Sequence, residues 1–342
     1  MNVQALKETA KALVKDGKGL LAMDESNPTC ERRFAALDIP RTAEARHAYR
    51  ALIVTTPTLN EYINGAILYD ETLRQFTQDG VPFTQFLIEA GVMPGIKVDM
   101  GTTALAGHPG EKITEGLDGL RDRLQTYAKL GARFAKWRAV ITPGAGIPSH
   151  GCIQANAHAL ARYAALCQEA RLVPIIEPEV LMDGDQTLQQ CAAVTEQVLR
   201  TVFEQLHIQR VLLEGMLLKP NMVLPGLACT TPATVAEVSE ATVSCLLRTV
   251  PAAVPGIVFL SGGQTAKLAS ARLNEMNATF KSRLPWPLAF SFARAVQQPA
   301  LEIWKGESSH VHAAQQALLH RLRCNHAACR GEYDPSMEGL SP

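Results

Sequence analysis

Eight short apolar runs recur from one end of the chain to the other: GLLAMD (19–24), NGAILY (64–69), PGIKVD (94–99), RFAKWR (133–138), VPIIEP (173–178), RVLLEGML (210–217), IVFLSGG (257–263) and PLAFSF (287–292). The gaps between them are long enough for a strand–helix–strand crossover, which needs a dozen or more residues. Several gaps show helical periodicity, as in LQQCAAVTEQVLRTVFEQL (188–206) and TVAEVSEATVSCLLRTV (234–250). Eight such units without a linker or low-complexity segment predict an α/β fold, a closed parallel (β/α)8 TIM barrel. No Gly-x-Gly-x-x-Gly follows the first run, which disfavours an open dinucleotide-binding sheet. The expected organisation is one barrel domain over residues 1–342, opening with an amphipathic helix in MNVQALKETAKALVKDGKG and closing with a short tail from about residue 328.

The charge balance is even, 33 basic against 33 acidic residues, which argues against a protein bound to nucleic acid or a membrane surface through an overall positive field. A local phosphate site remains compatible. The eight cysteines show no paired metal-ligand spacing; only Cys324 and Cys329, with His326 between them, lie close together. Reduced thiols in a cytoplasm are the simplest reading. The first residues lack a signal-peptide core, and no apolar run approaches a membrane span.

The polar residues on the runs carry the chemistry. Asp24, Lys97, Lys136, Glu177, Lys219, Ser261 and Arg294 each fall within or just beyond the C-terminal half of a run, the rim where barrel enzymes assemble their sites. Period-two alternation puts Lys136 with Arg138, Glu177 with Glu179, and Lys97 with Asp99 on shared faces. An ammonium among apolar strands is costly unless paired or neutral. An amine nucleophile at neutral pH needs its pKa lowered by about three units, which desolvation and a neighbouring cation such as Lys136 can supply. Lys219 is then a carbonyl-attacking nucleophile, Glu177 a proton carrier for loss of water, and Asp24 a base for the hydroxyl across a breaking carbon–carbon bond. The plainer alternatives are a lysine snorkelling from a strand end, a structural Lys136–Glu177 ion pair, and a helix-capping Asp24. Ser261-Gly262-Gly263 and Arg294 follow runs seven and eight, the frequent phosphate corner of this architecture. Ser26, Thr29, Arg32, Arg33 and Lys97 suggest a second anion position, although Arg32 and Arg33 also fit a solvated helix face.

In order along the chain, LAMDES, GIKVD, GLDGL, FAKWR, PIIEPE, LLEGMLLKPNMVLPG, FLSGGQ and LNEMN resemble the pattern of class I fructose-bisphosphate aldolases over nearly the whole length. LLAMDESNPTC and NGAILYDETL look closer to the plastid and bacterial members. The resemblance implies a metal-independent homotetramer without cofactor. Such an enzyme interconverts fructose 1,6-bisphosphate with dihydroxyacetone phosphate and glyceraldehyde 3-phosphate, in glycolysis, gluconeogenesis or the Calvin cycle. It also implies Lys219 as the Schiff-base lysine, Lys136 as the lysine that tunes proton transfer, Glu177 as the dehydration acid/base and Asp24 as the base for the C4 hydroxyl. Ser261, Gly262 and Arg294 correspond to ligands of the ketone-side phosphate, and Ser26, Thr29 and Lys97 to those of the other end. Arg33, Glu179 and Arg138 match positions lining the site.

The chain departs from the family pattern in several places. Phe292-Ala293 stands where the family usually has Tyr-Gly, Thr29 replaces a serine, and Arg32 replaces a lysine. The animal enzymes end in a tyrosine that assists proton exchange on the enamine carbon. Here the sequence ends at Pro342, and Tyr333 lies too early to match, so the expectation is protonation by water or a site carboxylate. A Schiff-base aldolase for another sugar phosphate and a non-catalytic sugar-phosphate-binding scaffold are the rival readings.

Overall fold

Strands that are apolar on both faces must be covered on both, and the chain achieves this by closing them into a ring inside a layer of helices. The computed structural model describes residues 2–339. It contains β1 (Gly19–Met23), β2 (Ile63–Leu68), β3 (Met93–Lys97), β4 (Phe134–Ile141), β5 (Val173–Val180), β6 (Leu217–Leu218), β7 (Ile257–Phe259) and β8 (Leu288–Phe290). Each pairs in parallel with the next in chain order. The ring closes where the Ala22 N–H donates to the Phe292 carbonyl at 3.2 Å. Gly19 permits the close approach at this seam, since a Cβ there would lie 2.5 Å from the Phe290 carbonyl oxygen. The expected (β/α)8 barrel is the observed one.

The helices begin where the sequence provides caps. Leu188–Ile208 starts with a Thr187/Gln190 capping box and Val235–Thr249 with a Thr234/Glu237 box, in which each side chain satisfies a backbone N–H of the other's turn. The first helix, Val3–Leu13, buries Leu6, Ala10 and Leu13. It seals the N-terminal end of the barrel: the Gly215 backbone packs on Leu6, and the Gly256 backbone on Val14 just beyond the helix. Among the described residues no helix is long and apolar enough to cross a membrane.

Three details differ from the sequence reading. Run six is extended only at Leu217–Leu218, because Leu213–Gly215 forms a 3-10 turn beneath the first helix. An antiparallel hairpin, Thr102–Ala104 with Lys112–Thr114, interrupts the crossover after β3. Residues 328–330, read as the start of a tail, are the last turn of helix Val311–Arg330, which ends at Gly331 in the left-handed region (φ +77°). Beyond it Tyr333 is buried, and Glu338 pairs with buried Arg321 at 2.6 Å. The rest of the expected tail, 340–342, lies outside the described residues.

Candidate active site

Four ionisable side chains from four strands meet at the C-terminal mouth of the barrel. Lys136 lies on β4 and Glu177 on β5, while Lys219 and Asp24 each sit one residue beyond β6 and β1. Lys219 Nζ is 3.1 Å from Glu177 Oε1, Lys136 Nζ is 3.0 Å from Glu177 Oε2, and Lys136 Nζ is 2.6 Å from Asp24 Oδ2. All four are buried, none more than 8% exposed. Each carboxylate thus lies against an amine, a pairing that makes ions tolerable where water is excluded. Burial by itself raises the Asp24 and Glu177 carboxyl pKa values, but Lys136 and then Lys219 outweigh it and hold both below the usual carboxylate range. Burial likewise opposes the charge on Lys136, yet Asp24 and Glu177 raise its pKa well above the ordinary lysine value. Glu177 Oε2 is fully buried and faces the Lys136 ammonium. Asp24 is not a helix cap; that position belongs to Ser26, ahead of helix Asn27–Ala35.

Strand register builds the walls. Arg138 on β4 lies beside Glu177 on β5, and two residues on from Lys136 and Glu177 the same faces present Arg138 and Glu179, which form an ion pair. On β3, Lys97 lies beside Lys136 in register, and its ammonium is held by Asp99 Oδ1 at 2.6 Å. Asp99 also accepts from the Arg138 and Gly101 backbone N–H groups, joining three elements at one carboxylate.

A glycine turn and an arginine lie together where β7 and β8 end. Gly262 and Gly263 have φ values of +55° and +81°, which other residues rarely adopt, and the turn leads into helix Ala266–Phe280. Arg294 opens helix Arg294–Trp304, is exposed, and forms no ion pair among the described residues. A Cβ on Gly263 would sit 3.5 Å from Arg294 Nη2, so the guanidinium reaches over the glycine turn. Ala293, in place of the family's glycine, has φ −104°, so alanine costs no left-handed strain. Across the mouth, Ser26 Oγ lies 3.1 Å from Thr29 Oγ1, which also accepts from Arg32 Nη2. A cavity of about 1510 Å³ joins these features, and all thirteen candidate site residues line it: Asp24, Ser26, Thr29, Arg33, Lys97, Lys136, Arg138, Glu177, Glu179, Lys219, Ser261, Gly262 and Arg294.

Sequence reasoning missed the supports. Glu25, buried beside Asp24, receives Arg33 at 2.6 Å, Arg50 at 2.8 Å and Gln297 Nε2 at 2.9 Å. This carboxylate aims Arg33 at the cavity and ties the β1 tip to the helix that begins with Arg294. The acidic pair Asp24-Glu25 was the available signal. Among the described residues no group of three or more His, Cys, Asp or Glu is arranged to hold a metal ion.

The sequence model of a family described as fructose-bisphosphate aldolase class-I matches residues 5–341. The chain belongs to the class I fructose-bisphosphate aldolases. It is 55% identical to a probable fructose-bisphosphate aldolase class 1 of Xanthomonas campestris, over 97% of this chain and 99% of that one. It is 52% identical to cytosolic fructose-bisphosphate aldolase 6 of Arabidopsis thaliana, over 93% and 88% of the two chains. The Plasmodium falciparum aldolase, solved in complex with TRAP and a small-molecule inhibitor, superimposes with a TM-score of 0.95 at 46% identity, covering 97% and 95% of the chains. This class I aldolase is therefore a lyase that cleaves fructose 1,6-bisphosphate reversibly through a lysine Schiff base.

The pairings of this aldolase set its acid stability. The depressed carboxyls of Asp24, Glu25 and Glu177 stabilise the fold fully above the unfolded-chain values near 4, and the contribution is lost as pH falls through the depressed values. Lys136 has the opposite sign: its contribution is complete below its ordinary value and is lost only at strongly alkaline pH. The urea midpoint is expected to be level from about pH 6 to 9 and to fall steeply below about pH 4. A midpoint unchanged down to pH 3 would contradict these pairings.

Proposed function

We propose that Lys219 is the amine that captures the substrate ketone, with Glu177, Lys136 and Asp24 moving the protons. Lys219 passes its proton to Glu177, 3.1 Å away, and the freed amine attacks the carbonyl carbon. A proton moves from the new C–N nitrogen to the carbonyl oxygen to give the carbinolamine, and Glu177 returns its proton to the departing hydroxyl, so that water leaves and an iminium remains. Asp24 takes the proton of the hydroxyl across the bond to be cleaved, the carbon–carbon bond breaks, and its electron pair passes into the iminium to give an enamine. Glyceraldehyde 3-phosphate leaves. The enamine carbon takes a proton from water or a site carboxylate, and hydrolysis then releases dihydroxyacetone phosphate and free Lys219. Lys136 keeps Asp24 and Glu177 ionised between these steps. Ser261, the Gly262 N–H and Arg294 hold the ketone-side phosphate; Ser26, Thr29 and Lys97 hold the other, with Arg33, Arg138 and Glu179 shaping the space between.

The observation that carries this reading is the Glu177 carboxylate standing between two buried amines, 3.1 Å from Lys219 and 3.0 Å from Lys136. Borohydride reduction in the presence of dihydroxyacetone phosphate, followed by peptide mapping, is expected to place the adduct on Lys219. Label on Lys97 or Lys136 instead would overturn the assignment. We further propose a cytoplasmic homotetramer. Relatives named cytosolic support the compartment, and sedimentation at four times the 37.1 kDa chain mass tests the assembly.

A further inference from the structure

One buried cation in this chain lacks the carboxylate that burial normally requires. Arg272, in helix Ala266–Phe280, is 8% exposed. It makes a single side-chain hydrogen bond, from Nη1 to Gln264 Oε1 at 2.8 Å, and its buried Nε has no acceptor. Among the described residues it forms no ion pair, and burial, which lowers its pKa, is opposed by no neighbouring charge. The other deeply buried arginines are treated differently: Arg50 is paired with Glu25, and Arg321 with both oxygens of Glu338. An arginine does not lose its proton in a protein, so the Arg272 charge persists at a cost.

The place of that charge gives it a use. Gln264 lines the cavity, and its Nε2 donates to the Ser261 carbonyl at 3.0 Å. Because Arg272 requires an acceptor, it fixes the Gln264 amide with Oε1 turned back and the NH2 facing Ser261. The guanidinium thus stands one side chain behind the Ser261–Gly263 turn. We propose that Arg272 is a positioning residue of the ketone-side phosphate site, an unneutralised cation that holds Gln264 under the turn and attracts the anion docking in front of it. This rests on the assignment of Ser261, Gly262 and Arg294 to that phosphate. A phosphate dianion supplies the counter-charge that the free protein lacks, so part of the burial cost of Arg272 is recovered on binding.

The test compares wild type with Arg272→Met, Arg272→Lys and Arg294→Ala, reading the affinity for inorganic phosphate from its protection against heating, the KM and kcat for fructose 1,6-bisphosphate, and the melting temperature of the free protein. Arg272→Met is expected to weaken phosphate binding and raise KM roughly three- to tenfold while kcat changes less than about twofold. Its free-state melting temperature should be unchanged or higher, because an apolar side chain replaces an unpaired buried charge. Arg272→Lys, which keeps the charge and a donor, should restore KM to within about twofold of wild type. Unchanged phosphate affinity in Arg272→Met, with Arg294→Ala weakened, overturns this inference alone. A methionine variant that is markedly less stable or fails to fold, or a lysine variant that does not recover affinity, makes Arg272 a structural strut and overturns it too. Unchanged phosphate affinity in Arg294→Ala removes the site assignment, and the inference with it.

Discussion

Lys219→Met is expected to leave no borohydride-dependent adduct and to lower kcat for bisphosphate cleavage by a factor on the order of 10⁵ or more, because the covalent path has no other amine in line with it. Methionine fills a similar volume without a nitrogen. Lys136 stays 3.0 Å from Glu177 and 2.6 Å from Asp24, so neither carboxylate is left without a cation. The variant should therefore fold, and circular dichroism with a melting curve checks this independently of activity. Wild-type turnover in a folded Lys219→Met protein would remove the mechanism altogether.

The second large effect is expected at Lys136. Replacing it by methionine takes away the ammonium that outweighs burial at Asp24, so the Asp24 carboxyl pKa should rise. A base must be unprotonated to act, so activity in Lys136→Met should climb with pH across a range where the wild type is already flat. Loss of the shared cation should reduce kcat by about 10² to 10⁴, while Lys219, still 3.1 Å from Glu177, should continue to trap dihydroxyacetone phosphate. Stability should fall by about 3–5 kcal/mol, the usual consequence of stripping one partner from a buried ion network. Adding Asp24→Asn to this variant should return part of that stability and none of the turnover. If Lys136→Met keeps the wild-type pH profile, the lysine is a spectator.

What could be read from residues alone followed the periodicity of the backbone. Lys136 with Arg138 and Glu177 with Glu179 are two apart on strands, and the cavity lining includes all four, because alternation on a strand is a local property. Run six was harder. RVLLEGML is as apolar as a strand, yet only Leu217 and Leu218 are extended, since a continuous apolar run does not distinguish strand from buried turn. The position of Lys219 survived this error because its backbone N–H is fixed by the Ile176 carbonyl of β5 at 2.8 Å. The Glu25 cluster and Arg272 were not legible for a different reason. Their significance lies in which partners they meet or lack across the fold, and contacts such as Glu25 with Gln297 join residues far apart in the chain.

The seam of the barrel also bears on biogenesis. Ala22 meets Phe292 across it, and Glu25 meets Gln297 beside it, so residues that follow the earliest strand and the latest one line the same cavity. A polypeptide emerging from the ribosome cannot bring Arg294 to the cavity that Asp24 lines until 270 residues have been added after Asp24 (294 − 24). Contacts of such long sequence separation form slowly. Partial translation products of this enzyme should therefore be inert toward sugar phosphates, and chemistry should begin only when the ring is joined.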